Sequence, residues 1–120
     1  MNIAEVISKV NLLKPNSFKE SEIVDLIDSI ESDIVLNIYK DVEYLKLKPT
    51  ELSRELKTPI QYSKIYYEYV ATQVDLVNGQ FDLYSVSAEQ FSATYQELSA
   101  YVSRKNLAVQ TVTNRFKNYF

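Results

Sequence analysis

Between Ser17 and Lys40 the apolar residues fall on a helical period, and no other stretch constrains the fold as much. Ile23, Leu26, Ile27, Ile30, Ile34 and Ile38 are spaced by threes and fours. In a helix of 3.6 residues per turn that spacing makes one stripe. Asp25, Asp28 and Ser32 fall on the opposite side. A stripe this long has to be covered by other apolar faces, so the chain needs further elements to pack on it. Ser17-Phe18-Lys19-Glu20 has the form of a capping box, which places the helix at 17–40.

The covering faces are also helical. Ile3, Val6, Ile7, Val10 and Leu13 predict a short helix over 2–13, stopped at Lys14-Pro15 because proline disfavours helical angles in its predecessor. Residues 41–62 read as loop, with one or two capped turns in Thr50–Leu56 between Pro49 and Pro59. Ile65, Tyr66, Tyr69, Val70, Val74, Leu76 and Val77 line a helix over 63–77. Asn78-Gly79 either closes it through a left-handed glycine or is a weak spot in a longer helix. Ser87-Ala88-Glu89-Gln90 is a second capping box, and Phe91, Tyr95, Leu98 and Val102 carry the helix it opens to residue 105. From Leu107 the apolar residues alternate with polar ones, which leans toward an extended arm. The expectation is an all-α bundle of four main helices, residues 1–106, with an extended C-terminal arm, residues 107–120.

Composition removes much chemistry. Among 120 residues there is no Cys and no His, so thiolate nucleophiles, Cys-zinc sites and the usual neutral-pH base are excluded. One glycine cannot form a glycine-rich phosphate loop. The formal charge of −3 is a poor start for wrapping nucleic acid. The 10 Tyr and 5 Phe point instead to packing and association. Neither an enzyme nor a cofactor is expected. Met1–Leu13 lacks the basic start and unbroken apolar run of a signal peptide, and no run approaches the ~20 apolar residues that span a bilayer, so a soluble intracellular protein is expected.

Charge is sorted along the chain. Residues 65–103 hold the acids Glu68, Asp75, Asp82, Glu89 and Glu97 and no base. Residues 104–120 hold Arg104, Lys105, Arg115 and Lys117 and no acid. Such a split suggests contact between opposite surfaces, within one chain or between neighbours. Glu68, Asp75, Asp82 and Glu89 are each seven apart, so a continuous helix would show them as one acidic stripe.

Three clusters are candidates for function. Asp25, Asp28, Glu31 and Asp33 have no calcium-loop spacing and read as a solvated face. In Ile65-Tyr66-Tyr67-Glu68-Tyr69, Tyr66 and Tyr69 belong to the core stripe and Tyr67 is the surface candidate. The end Arg115-Phe116-Lys117-Asn118-Tyr119-Phe120 is either a frayed terminus or a docking segment with aromatic anchors and cations.

Taken together, the short first helix, Ser17-x-x-Glu20, the Ile23–Ile34 stripe, the Tyr66–Gly79 segment and Phe91-x-x-x-Tyr95 before Tyr101 resemble the head–tail connector (adaptor, or head-completion) proteins of tailed bacteriophages, over residues 1–105. The resemblance implies a cyclic ring of about twelve copies beneath the portal protein. Such a ring prolongs the channel, lets DNA pass without specific binding, and receives a stopper or tail protein. The location implied is the head–tail junction of the virion, after assembly in the host cytoplasm. On this reading Tyr67, Arg104, Lys105, Arg115, Phe116, Lys117, Tyr119 and Phe120 bind partners. Glu68, Asp75, Asp82 and Glu89 line the channel, repelling DNA so that it slides. The competing expectation is a small acidic inhibitor, or DNA mimic, that occupies a host protein's nucleic-acid groove.

Overall fold

A computed structural model describes the backbone of residues 1–119 and the side chains of residues 1–107. Four α-helices follow in order: α1 (Ile3–Leu13), α2 (Glu20–Asp33), α3 (Lys64–Val77) and α4 (Phe81–Tyr119). A π turn, Ile34–Ile38, prolongs α2, and a short 3-10 turn, Ile60–Tyr62, precedes α3. No strand occurs among the described residues; the only β-type pairing there is an isolated bridge between Asn2 and Glu55. The all-α bundle of four helices is as expected.

Each stripe covers another. Ile3, Val6 and Val10 of α1, the Ile23–Ile38 stripe and Ile65, Tyr66, Val70 and Val74 of α3 are buried against one another, with Leu98 and Val102 of α4 closing the cluster. Burying each aliphatic side chain contributes roughly 1.5–3 kcal/mol relative to leaving it exposed. Rings seal the α3–α4 seam: Tyr69 meets Phe91 at 5.4 Å between centroids, and Phe91 meets Tyr95 at 6.0 Å. Leu76 and Val77, placed with this core by the periodicity, are exposed in the last turn of α3, just before the chain reverses at Gly79.

The ends differ from the reading in instructive ways. α1 has a capping box that apolar spacing does not signal: Glu5 N–H donates to Asn2 Oδ1 at 2.9 Å, and Asn2 N–H donates back to Glu5 Oε1 at 3.4 Å. α2 begins at Glu20, not Ser17, since Phe18 N–H is taken by Asn16 Oδ1 and Lys19 N–H donates to Glu22 Oε1. α2 ends in the π turn, where Tyr39 N–H reaches back to the Ile34 carbonyl at 3.0 Å. The wider turn carries Ile34, Val35 and Ile38 into the core together. Lys40, at φ 60°, then turns the chain away.

The loop 40–59 is pinned rather than loose. Asp28 Oδ1 accepts from the Tyr44 hydroxyl at 2.6 Å and from Leu47 N–H at 2.9 Å. Ala4 N–H donates to the Leu52 carbonyl, and Leu56 N–H to that of Met1. Leu47 and Leu56 are buried beneath it.

α3 closes where Asn78-Gly79 allowed. Gly79 takes φ 71°, its N–H donates to the Leu76 carbonyl, and Gln80 N–H donates to that of Asp75. This is the Schellman arrangement, which needs a left-handed residue. α4 then starts at Phe81, so Ser87 lies inside it and caps nothing. α4 is unbroken to Tyr119, which corrects the extended backbone expected for 107–114. No Pro or Gly occurs after Gly79, and lengthening a formed helix avoids the cost of nucleation. Its 39 residues amount to ~58 Å at 1.5 Å per residue, matching the molecule's 60 Å long axis. Among the residues whose side chains are described the last buried one is Val102, and the α4 backbone runs on from there to Tyr119 as a spine.

Candidate docking surface

The acidic stripe does not form. The turn at Gly79 folds α4 back along α3, so the seven-residue register of Glu68 and Asp75 is broken before Asp82 and Glu89. Asp75 is 0% exposed, which removes it from any channel wall. Its Oδ1 and Oδ2 accept from Lys14 Nζ at 2.9 and 3.1 Å, and Oδ2 also accepts from the Ser87 hydroxyl at 2.6 Å. The carboxylate thus clamps the end of α1 and the start of α4 to α3. Glu68 is half-buried, and both its oxygens lie within reach of the Thr94 hydroxyl, at 3.0 and 2.9 Å. Burial holds its pKa above the ordinary carboxylate range, opposed by the Thr94 hydrogen bond and Lys64. Asp82 and Glu89 remain exposed.

The carboxylates of α2 are also turned inward, against the solvated-face reading. Asp33 Oδ1 accepts from the Tyr95 hydroxyl at 2.9 Å, an arrangement that, after burial, pushes the Tyr95 pKa up to about 12. Glu31 is buried, with Oε1 accepting from the Tyr66 hydroxyl at 2.8 Å and Oε2 from Lys57 N–H at 2.9 Å. The Tyr66 oxygen also meets Thr58 Oγ1 at 2.7 Å and accepts Thr58 N–H at 3.1 Å. Burial raises the Glu31 pKa against these donors, and burial, then the Glu31 charge, raises that of Tyr66. Only Asp25 of the four is exposed. These partners are 16 to 62 residues apart in sequence, and no local spacing signals them.

What lies open is apolar. Val10 and Leu13 of α1, Tyr67 and Ala71 of α3, and Leu83 and Val86 of α4 line a cavity of about 350 Å3. Leu12, Phe81, Leu76 and Val77 are exposed at the same end of the bundle, by the α3–α4 turn. A second hollow, of about 410 Å3, shares Tyr67, Glu68 and Gln90 with the first and follows the seam to Ala93, Thr94 and Glu97. The two make one groove along α3 and α4. Tyr67, picked as the surface tyrosine, stands in its middle, with Lys9 Nζ 5.8 Å from its ring centroid.

Of the basic candidates, Arg104 and Lys105 are exposed on the spine, with Lys105 Nζ 5.9 Å from the Tyr101 ring. The side chains of Arg115, Phe116, Lys117, Tyr119 and Phe120 lie outside the described residues. Among the described residues no group of three acids could hold a metal ion, and no helix is long and apolar enough to cross a membrane. No family model, curated protein or solved structure matches the chain.

Proposed function

We propose that the chain is a structural adaptor at the head–tail junction of a tailed phage, assembling as a ring under the portal and receiving the next connector or tail protein. The observation that supports this most is the open groove with Leu13, Leu83 and Val86 along it, on a body whose last helix runs on past the core. Clustered apolar surface of this kind marks association sites, and a site at one end with a projecting element at the other suits head-to-tail assembly. Asp82 and Glu89 are the acids left to face passing DNA. The DNA-mimic reading loses ground, because Glu68 and Asp75 are held by partners inside the chain.

The test is mass measurement and negative-stain imaging of the purified chain, alone and with a portal oligomer. Rings on the portal are expected. Removing residues 107–120 should leave the helical body folded and abolish portal docking. A chain that stays monomeric and ignores the portal overturns the reading.

A further inference from the structure

We propose that the groove along the α3–α4 seam receives the C-terminal helical segment, residues 107–119, of a second copy of this chain. This deepens the adaptor reading, and rests on it, by naming the contact that joins neighbours.

Four observations converge. The first is length. On α4 the groove runs from Leu83 to Glu97, a rise of ~21 Å, while residues 107–119 supply a helix of ~20 Å. The second is pattern. Val109, Val112, Phe116 and Tyr119 recur at three, four and three, so on a helical backbone they share one face, as groove-binding helices require. Leu13, Leu83 and Val86 offer that face apolar ground.

The third is charge. Residues 104–120 carry four bases and no acid, whereas residues 65–103 of α3 and α4 carry five acids and no base, with Lys14 and Lys64 also in the groove lining. Glu97 lies in the groove and is exposed. Glu68 forms part of the floor, half-buried and raised in pKa by that burial, a carboxylate that gains from an incoming cation. Lys14, at the apolar end, is already engaged by Asp75.

The fourth is reach. Val86 and Phe116 belong to one continuous helix, thirty residues apart, which sets them ~45 Å from each other. The segment therefore cannot enter its own groove. Each copy offers a groove at one end and a plug at the other, so the contact is heterologous and propagates until it closes.

Two full-length variants test this. Val86→Glu spoils the groove at an exposed position; the double change Val112→Glu, Phe116→Glu spoils the plug. Far-UV circular dichroism checks that both keep the helical body, and light scattering after size exclusion reads mass up to millimolar concentration. The wild type should assemble, and each variant alone should be monomeric. Mixed together, they should form a one-to-one heterodimer and nothing larger, since one sound groove meets one sound plug. Oligomers that persist in both variants overturn the groove assignment and leave the ring standing. A wild type that stays monomeric throughout overturns it as well; the portal experiment then decides the adaptor reading separately.

Discussion

Replacing Tyr66 by Phe removes a single oxygen from a polar cluster buried in the core. Tyr66 is 0% exposed and Glu31 3%. The hydroxyl has one proton and three neighbours. The proton goes to the charged Glu31 Oε1, and the oxygen accepts from Thr58, at N–H and at the hydroxyl. Losing a hydrogen bond to a charged group costs about 1.5–3 kcal/mol, and leaving Thr58 short of an acceptor adds ~1 kcal/mol, so the loss near neutral pH is about 3 kcal/mol. With urea slopes of roughly 1–3 kcal/mol/M, the unfolding midpoint should fall by roughly 1–3 M at unchanged slope.

The variant also has a pH signature. Burial raises the Glu31 pKa above its ordinary value of 4.5, and the Tyr66 hydrogen bond is among the influences that lower it. A carboxyl raised in the folded state holds its proton better folded than unfolded. Its contribution to stability is therefore greatest in acid and is lost as pH rises through the folded-state value. Without the hydroxyl, Glu31 is raised further, so the deficit of Tyr66→Phe should be largest at neutral pH and shrink as the pH falls through the raised folded-state value, where the Thr58 part persists. Urea titrations followed by far-UV circular dichroism at several pH values measure both. A neutral-pH loss below ~1 kcal/mol, or a deficit that grows on acidification, would refute the claim that this hydroxyl sustains a buried carboxylate.

Two further results are expected. Lys14→Met and Asp75→Asn should each destabilise, the former by about 3 kcal/mol because it strands a buried charge, and the double variant should lose less than the sum by at least ~1 kcal/mol; urea unfolding of the cycle gives the coupling, and strict additivity would show the clamp to be idle. Gly79→Ala should cost about 1 kcal/mol from backbone strain alone, since φ is 71° and nothing lies within 4 Å of the added methyl, whereas Lys40→Gly at φ 60° should gain a similar amount; thermal melts moving the other way would refute the left-handed assignments.

Local chemistry was legible and distant pairing was not. The helices at 3–13 and 64–77, and the buried stripe from Ile23 to Ile38, follow from apolar period and from the breakers at Pro15 and Gly79. Capping boxes misled where the same residues had better partners: the Ser87 hydroxyl prefers a buried carboxylate twelve residues away to an N–H of its own helix. The alternation after Leu107 fits two periods at once, and a helix already under way settled it. Of the proposed surface residues, Tyr67 reached the groove because it is the one tyrosine in its run off the core period. Asp75 was misplaced because a heptad of acids carries no sign of the lysine sixty-one residues earlier that buries one of them.

Since groove wall and plug belong to the same unbroken rod, the angle between successive copies in the proposed ring is a property of one helix's phase. Each residue added between Val102 and Leu107 would swivel the plug by ~100° and advance it by ~1.5 Å relative to its own socket. Subunit number and handedness would then be tuned by length along that short neck, without touching either mating surface.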